Sequence, residues 1–379
     1  MKKIGCLTFH ASYNYGSALQ AYALQTIFCK LSKETVDYKI INYRTLTQKV
    51  MYKNCFEKKD FKSLYQRVFL LGKKKQLEEK EKLFELFFMN DLILTKEAST
   101  VEELEMLSSD FDSLIVGSDQ IWNFNAKDFD WCYFLEFSNN PNKYTYAVSC
   151  GPAIQQIPSA FTERITKDLK SFKCLSVRDN RTFTLFSPLA FGKTVDINID
   201  PTLLLDQKDW LKLIENVDVV VPKEKYVLFY DLSRNRENWK LAKRFAKKRG
   251  LKLLITSVPF PRTMLEIFGT YKRFDVGPKE FLFLLQKSEF VITSSFHGTI
   301  FSLLFQKRFA TIVRDEDNRL NDLINRLHLN SHCLDESNID SFDYDASCRV
   351  SEETTRSLEE ERKKGISYLN NMIESIKNG

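Results

Sequence analysis

Short apolar runs that end abruptly in small or polar residues recur along the chain and predict buried strands. The first run, residues 4–9, leads into a polar loop and then into a segment whose apolar residues Leu19, Ala23 and Ile27 repeat at the spacing of one helix face. A second β-rich run, TVDYKIINY, follows. This order of strand, loop, helix and strand is typical of a parallel sheet.

A charged segment interrupts the strand pattern between about residues 48 and 108. Part of it reads KKKQLEEKEKLFELFFMNDLIL, in which charged residues give way to an aromatic and aliphatic stripe. We predict helices here, inserted into the first domain or capping it. The strand pattern then returns in four runs, each ending in small or polar residues: FDSLIVGSDQIWN, KYTYAVSCGPA, KCLSVRDN and DINIDPTLLL.

The pattern pauses again in LDQKDWLKLIENVDVVVPKEK, a charged stretch that contains proline, and the alternation of strand and helix restarts at Lys225. We therefore predict an N-terminal domain over residues 1–205 and a C-terminal domain over residues 206–350. A helix over residues 351–379 is predicted to pack back near the domain interface.

The predicted fold class is α/β, with two Rossmann-like domains that face a cleft, a helical insert in the first domain and a C-terminal helix. This arrangement is called GT-B in sugar-transferring enzymes. Open parallel sheets bind ligands beyond the carboxyl ends of their strands, so the polar residues that end each run are the candidates for chemistry. The fold alone does not fix the reaction.

Composition and charge exclude several classes of protein. The 379 residues are 43% hydrophobic and 28% charged, which is typical of a soluble globular protein. The net charge of +6 is mild for this length and predicts no nucleic-acid partner. No apolar run approaches the ~18 residues that a membrane-spanning helix needs.

Cysteine and histidine usage indicates neither disulfides nor zinc. The eight cysteines are scattered without a C-x-x-C pair, and the four histidines do not join them at the spacing of zinc ligands. We expect reduced thiols, no bound metal and a cytoplasmic location.

The strongest candidate site lies in VITSSFHGTIFSLLF, residues 291–305, where a strand meets a helix through two serines, a histidine and a glycine. We predict the strand over residues 290–293 and the helix from about residue 298. A helix N-terminus favours an anion, and histidine can donate a hydrogen bond or a proton to it. The residues predicted to surround this anion are Ser294, Ser295, His297 and Gly298.

The loop after the first strand reads NYGS and is a second candidate. Asn14, Gly16 and Ser17 would lie at a helix N-terminus, where glycine lets the backbone approach a ligand closely. The motif is neither G-x-G-x-x-G nor a P-loop, and on this signal alone a plain capped turn is slightly favoured over a ligand site.

Two further strand ends carry candidate polar residues. Ser118 and Asp119 end the run LIVGSD, and Ser149 ends the run YAVSCG. Asp119 could act as a base toward a sugar hydroxyl or orient it. The alternative, that Asp119 caps the next segment, is left open.

Arginines at strand ends are candidates for binding phosphate or carboxylate, because the guanidinium fork suits both groups. Arg178 follows the run KCLSV and could also be an ordinary surface residue paired with Asp179. Asp200, which stands before Pro201, is predicted to be structural.

The ordered motifs NYGSALQAYALQ, VGSDQIWN, YAVSCG, SVRD, DPTLLL and TSSFHGTIFSL closely resemble the polysaccharide pyruvyl transferase family. The resemblance runs from about residue 3 to residue 315. It implies a GT-B-like enzyme that transfers the pyruvyl group of phosphoenolpyruvate onto two hydroxyls of a sugar in a bacterial-type surface polysaccharide or its precursor. The product would be a cyclic pyruvate ketal, with phosphate released and no cofactor required.

The resemblance also assigns roles to residues. It implies that His297 and Arg178 grip phosphoenolpyruvate, while Asp119 could serve the sugar hydroxyl. Many family members carry a basic residue two positions before the histidine, where this chain has Ser295. We predict that Arg234, at a strand end of the second domain, replaces that missing cation.

Two other functions stay open at this point. One is a glycosyltransferase of the same architecture that uses a nucleotide sugar. The other is a non-catalytic anion-binding protein, associated with the membrane through the basic stretch between residues 49 and 82. The expected partners of a pyruvyl transferase are phosphoenolpyruvate and a sugar or lipid-linked oligosaccharide, with peripheral contact to the inner face of the membrane as an open alternative.

Overall fold

Two parallel sheets organise the computed structural model, which describes residues 1–33, 35–53, 73–233, 235–257, 269–313, 317–345 and 350–378. The first sheet contains β1 (Lys2–Leu7), β2 (Val36–Ile40), β3 (Ser113–Val116), β4 (Lys143–Thr145), β5 (Phe172–Val177) and β6 (Val195–Ile197). Its strands lie in the order β2-β1-β3-β4-β5-β6, and all neighbours pair in parallel.

The second sheet has the same character. It contains β7 (Tyr226–Tyr230), β8 (Lys252–Ile255), β9 (Thr270–Lys272), β10 (Phe290–Thr293) and β11 (Phe309–Thr311). These strands lie in the order β11-β10-β7-β8-β9, again with parallel pairs. Every residue of β3, β7 and β10 is buried, as expected for parallel strands that helices cover on both faces.

Helices connect the strands and cover the sheets. No helix among the described residues combines the length and apolar character needed to cross a bilayer. The helices are α1 (Tyr15–Ser32), α2 (Leu46–Lys53), α3 (Lys74–Asp91), α4 (Val101–Ser108), α5 (Ser159–Ser171), α6 (Asn180–Phe186), α7 (Gln207–Leu213), α8 (Arg236–Lys248), α9 (Pro278–Lys287), α10 (Phe296–Leu304), α11 (Asn318–Arg326) and α12 (Glu352–Asn378).

The charged segment between β2 and β3 contains α2, α3 and α4, as its composition predicts. Much of the basic stretch between residues 49 and 82 lies outside the described residues. The aromatic stripe of α3 is buried, with Phe84, Phe87 and Phe88 each at most 2% exposed. Thr100 and Glu103 form a capping box that fixes the start of α4.

The C-terminal helix α12 contacts both halves of the molecule. The Tyr368 hydroxyl donates to the carbonyl oxygen of Thr145 over 3.1 Å, at the end of β4. Glu361 pairs with Arg326, at the end of α11. The helix therefore contacts both a strand of the first sheet and a helix that follows the last strand of the second sheet. The domain limits at residues 205 and 350 remain a prediction.

An aromatic cluster joins the two halves next to the start of α1. The Tyr15 ring stacks on Phe281 of α9 with ring centroids 4.3 Å apart, and it also contacts Tyr230 at the end of β7. Its hydroxyl donates to the carbonyl oxygen of Val276 over 3.2 Å. Because Tyr15 is the first residue of α1, these contacts hold the N-terminus of α1 against the second sheet.

Asp168, in α5, is a buried acid that is expected to destabilise the fold at neutral pH. Only 7% of it is exposed, and its Oδ2 has no hydrogen-bond partner among the described residues. Burial, aided by the charge of Glu136, raises the pKa of Asp168 to about 6. Folding therefore favours the protonated form, and this residue's contribution to stability falls as the pH rises from about 4 to about 6.

Asp168→Asn should accordingly raise the free energy of unfolding at pH 8 by roughly 1 kcal/mol, after allowance for partial solvent screening. The gain should shrink toward pH 4, where the carboxyl of the wild type is neutral in the folded state and only partly ionised in the unfolded state. Urea denaturation at both pH values measures the difference, with Asp110→Asn, at an exposed turn, as the control. A variant less stable than the wild type at pH 8 would contradict the expectation.

Candidate active site between the two sheets

The strand orders place one topological switch point in each sheet. In the first sheet the chain changes direction between β1 and β3, and in the second between β7 and β10. Parallel sheets bind ligands at such points, beyond the carboxyl ends of the strands. The loops that follow these strands line one cavity of about 950 Å³, including Asn14, Asp119, Ser233 and His297.

The NYGS loop meets the SSFHG turn directly. Asn14 caps α1, because its side-chain oxygen accepts a hydrogen bond from the amide of Gly16 over 2.8 Å. A Cβ atom on Gly16 would lie 2.1 Å from Nδ1 of His297, so only glycine permits this approach. The loop is thus a capped turn whose glycine also admits the imidazole from the second domain.

The helix after β10 begins two residues before the start predicted from sequence, which was about residue 298. It starts at Phe296 because Ser295 is the N-cap, with its hydroxyl accepting from the amide of Gly298. His297 therefore lies in the first turn of α10. The N-termini of α1 and α10 both reach the cavity, and each contributes a partial positive charge there.

A buried chain of acidic and basic side chains links the two domains beneath the cavity. Asp200 Oδ2 lies 2.7 Å from Nη1 of Arg178 and 3.4 Å from Nε2 of His297. Burial alone would raise the pKa of Asp200, but the adjacent His297 and Arg178 hold it well below its usual value. Asp200, predicted from sequence to be only structural, is therefore the anion that joins both candidate cations.

Asp119 also belongs to this group. Its Oδ2 accepts a hydrogen bond from the Ser17 hydroxyl over 2.5 Å, and its Oδ1 accepts from the amide of Gln120 over 2.8 Å. Nη2 of Arg178 lies 3.9 Å from Oδ1. The backbone of Asp119 has φ +86°, a conformation that residues other than glycine rarely adopt. Such strained residues cluster at functional sites.

Arg319 is a cation that sequence analysis missed. Arg319 lines the cavity from the first turn of α11, with its guanidinium 6.0 Å from the centre of the Phe296 ring. The guanidinium of Arg178 lies 4.7 Å from the same ring. Burial lowers the pKa of Arg319, the charge of Asp317 opposes that effect, and the like charge of Arg178 adds to it.

Several buried donors in this group have no hydrogen-bond partner among the described residues. They are Nε and Nη2 of Arg178, Nε of Arg319 and Nε2 of His297. Three of them instead face a carboxylate at a longer distance: Nη2 of Arg178 lies 3.9 Å from Asp119, Nε of Arg319 lies 3.5 Å from Asp317, and Nε2 of His297 lies 3.4 Å from Asp200. A buried donor without a well-formed hydrogen bond costs up to about 1–3 kcal/mol. Such a cost at neighbouring side chains is typical of a site that binds an anion.

Other predicted site residues have different positions. Ser294 and Ser295 line the cavity, and the Ser294 hydroxyl donates to Asp231. The amide of Gly298 is occupied by the cap, and a Cβ on this glycine would lie 2.2 Å from Thr293 Oγ1, so its role is close packing rather than anion binding. Arg234 lies outside the described residues.

Ser118 and Ser149 do not contact the cavity, which corrects their prediction as substrate-binding residues. Both are fully buried. The Ser118 hydroxyl donates to the carbonyl oxygen of Ala147 over 2.8 Å, and the Ser149 hydroxyl donates to Asp179 over 2.6 Å. They fix the loops that carry Asp119 and Arg178.

Arg319 gives little signal in the sequence. It follows several acidic residues in a polar segment and has no motif of its own. Only the pairing of β11 with β10 shows that α11, which follows β11, starts beside the SSFHG turn. Among the described residues, no group of three side chains that could ligate a metal is present.

The fold is shared with enzymes that act on nucleotide sugars. A UDP-N-acetylglucosamine 2-epimerase from Rickettsia bellii matches with a TM-score of 0.53 and 8% identity, covering 98% of each chain. The UDP-GlcNAc 2-epimerase from Neisseria meningitidis, bound to UDP-GlcNAc, matches with a TM-score of 0.52 and 12% identity, covering 99% of each chain. These likenesses confirm the α/β class and the two Rossmann-like domains of the GT-B arrangement.

No curated protein sequence matches the chain significantly. The sequence pattern of the family named polysaccharide pyruvyl transferase, however, matches residues 14–316. This range contains the NYGS loop, Arg178, Asp200 and the SSFHG turn. The chain therefore belongs to the polysaccharide pyruvyl transferase family and is a transferase.

Proposed function

We propose that the protein transfers the pyruvyl group of phosphoenolpyruvate onto two hydroxyls of a sugar in a surface polysaccharide or its precursor, forming a cyclic ketal and releasing phosphate. The observation that carries the proposal is a cluster of three basic side chains whose hydrogen-bonding capacity is only partly used: Arg319 and His297 line the interdomain cavity, and Arg178 lies buried beneath it. Membership of the family supports the same reaction.

Phosphoenolpyruvate fits this charge distribution because it carries both a phosphate and a carboxylate. Two arginines and a histidine can donate charge-assisted hydrogen bonds to these groups, and such bonds are roughly twice as strong as neutral ones. The N-termini of α1 and α10 add favourable dipoles. Arg319 supplies the positive charge that many family members have at the position of Ser295, which is the role predicted for Arg234.

The reaction requires proton transfers as well as anion binding. A sugar oxygen bonds to C2 of the donor while its C3 methylene gains a proton, which gives a ketal that still carries phosphate. The bond from C2 to the phosphate oxygen then breaks, its electron pair leaves with phosphate, and a second sugar oxygen bonds to C2. Of the two hydroxyl protons, one balances the new methyl C–H bond and the other leaves with phosphate.

Residues at the cavity can serve these steps. His297 is our candidate for delivering the proton to the donor, because its ring reaches the cavity while Asp200 fixes its orientation from below. Asp119 is our candidate for accepting a hydroxyl proton, because its carboxylate lines the same cavity. Arg178, 1% exposed at its side chain, would hold Asp200 and stabilise developing phosphate charge from beneath.

Thermal shift with phosphoenolpyruvate, UDP-sugars and GDP-sugars tests the choice of donor. We expect stabilisation by phosphoenolpyruvate alone, followed by release of phosphate when a suitable sugar is added. Stabilisation by a nucleotide sugar, without any effect of phosphoenolpyruvate, would instead indicate a glycosyltransferase. No effect of either donor would favour a non-catalytic role.

Arg319→Ala is expected to weaken phosphoenolpyruvate binding by about 10- to 100-fold, the scale of a lost charge-assisted hydrogen bond. The loss should be seen as a raised Kd in calorimetry and a raised KM for the donor. Arg319→Lys keeps the charge but not the guanidinium fork, and should recover part of the affinity.

Arg164→Ala is the matched control, because Arg164 lies on the surface in an ion pair with Glu136. This variant should bind phosphoenolpyruvate like the wild type. Unchanged donor affinity in a folded Arg319→Ala protein would remove Arg319 from the site.

A further inference from the structure

The cavity has two chemically different walls. Among the described residues that line it, the basic side chains are His297 and Arg319, and both belong to the second domain. The wall on the first domain is instead aromatic and acidic. Its aromatic, thioether and acidic members are Phe9, Tyr13, Met51, Tyr52, Asp119 and Asp128, and small and amide side chains complete it.

The two tyrosines on this first-domain wall are held in place at their hydroxyl ends. The Tyr13 hydroxyl donates to Glu85 over 2.9 Å, and Glu85 also accepts from Arg44 over 2.6 Å. The Tyr52 hydroxyl donates to Asp128 over 2.8 Å. Their rings lie 6.4 Å apart at an interplanar angle of 42°, so the wall presents two fixed aromatic surfaces.

Asp128 is positioned as an acceptor beside these rings. It is half-buried, and Gln48 of α2 donates to its carbonyl oxygen over 3.2 Å. The Tyr52 hydroxyl uses only part of the accepting capacity of the carboxylate, which can take several hydrogen bonds. Asp119 offers a second carboxylate on the same wall.

This combination matches the surface of a neutral sugar ring. A pyranose presents C–H groups on its faces, which pack on aromatic rings, and hydroxyl groups at its edge, which donate to carboxylates. A uronic acid would bring its own carboxylate against Asp119 and Asp128. Like charges at ~4 Å repel by about 1 kcal/mol in water and by more in a partly buried site.

The cavity is also larger than the donor requires. Its volume of about 950 Å³ is at the upper end of ordinary small-molecule pockets, whereas phosphoenolpyruvate has few atoms and would lie against the basic side chains. With the donor placed against the basic side chains of the second domain, the space left for a second ligand is on the side of the first-domain wall.

We infer that the first-domain wall is the acceptor subsite and that it selects a neutral sugar ring over a uronic acid. The identification of this sugar as the acceptor rests on the proposed function, whereas the binding preference does not. Tyr13 and Tyr52 pack on the ring, and Asp128 accepts from its hydroxyls.

Saturation-transfer NMR with methyl glycosides tests the preference. The probes are the methyl glycosides of glucose, galactose, mannose and N-acetylglucosamine, together with those of glucuronic and galacturonic acid, each with and without phosphoenolpyruvate. At least one neutral glycoside should bind about 10-fold or more tightly than either uronide. Equal or tighter binding of a uronide, or no binding of any probe, would overturn the inference.

Variants locate the binding on this wall. Tyr52→Ala should weaken binding of the neutral glycoside by about 10-fold. Tyr271→Ala should leave that affinity unchanged, because Tyr271 lies in the edge strand β9 and is not among the residues that line the cavity. Asp128→Lys should reverse the preference toward a uronide, whereas Asp110→Lys, at an exposed turn, should not. Unaltered affinity in Tyr52→Ala together with unaltered preference in Asp128→Lys would place the sugar elsewhere.

The inference and the proposed function can fail separately. If phosphoenolpyruvate neither stabilises the protein nor releases phosphate, but neutral glycosides still bind with this preference, the donor is wrong and the subsite stands. If phosphoenolpyruvate binds and reacts, but uronides are the better ligands, the subsite inference is wrong and the proposed function stands.

Discussion

Replacing His297 by alanine is expected to lower sugar-dependent phosphate release from phosphoenolpyruvate by a factor on the order of 10² or more, the usual scale for a positioned acid or base. The imidazole lies between the buried Asp200, whose Oδ2 is 3.4 Å from Nε2, and the N-terminus of α1. The variant loses both the proposed contact to the donor and the one imidazole among the described residues that line the cavity.

Two further variants separate a catalytic role from a structural one. His297→Asn should keep part of the donor affinity, because the amide still donates a hydrogen bond, but it should recover little turnover. His332→Asn is the matched control, since His332 is also buried in the second domain but stacks on Phe309. The melting temperature of the His332→Asn protein should fall, while its turnover per folded molecule should be retained.

Normal turnover by a well-folded His297→Ala protein would remove the residue from the mechanism and weaken the proposed reaction. A large loss of melting temperature with normal activity in the remaining folded protein would show that His297 is structural. Melting temperature and phosphate release are therefore measured on the same preparations.

Asp200→Ala should lower the free energy of unfolding by about 3–5 kcal/mol, the cost of leaving a buried charge without its partner. Arg178 is 2% exposed, and its hydrogen bond to Asp200 is its closest ion-pair contact. The next acid within ion-pair distance of its guanidinium, Asp119, lies 3.9 Å away and already accepts two hydrogen bonds. Removing Asp200 thus leaves Arg178 buried and poorly compensated.

Asp206→Ala provides the comparison for this measurement. Asp206 lies six residues further on and caps α7 in a capping box at the surface. Loss of such a cap costs about 1 kcal/mol. If urea denaturation shows that Asp200→Ala costs no more than Asp206→Ala, the buried chain of charges does not stabilise the domain interface.

The buried ion pair of Asp200 and Arg178 also predicts how the free energy of unfolding depends on pH. Because the pKa of Asp200 is lower in the folded protein than in the unfolded chain, its stabilising contribution is present above about pH 4 and is lost as the pH falls further toward the folded value. Asp200→Asn should be less stable than the wild type at pH 7. The difference should narrow in acid, and a difference that widens below pH 4 would contradict this sign.

The sequence by itself determined the alternation of strands and helices, because each buried strand and each helix face leaves a local pattern of apolar residues. It also determined the family, since six short motifs occur in a fixed order, and it indicated the two strand ends that carry Asp119 and His297. Local capping explains why the NYGS and SSFHG turns were predicted near helix N-termini: Asn14 and Ser295 are residues that favour such positions.

Only the tertiary structure decided which of these strand ends meet. Strand order depends on pairing between residues far apart in the chain, and no local pattern indicates that Arg319 lines the same cavity as His297, with Arg178 buried beneath it. Burial is equally non-local: Ser118 and Ser149 have the same local setting as true cavity residues, but the packing of neighbouring loops covers them. Asp200 became central because each of the two domains places a basic side chain against its Oδ2, a fact that no pattern within one segment can encode.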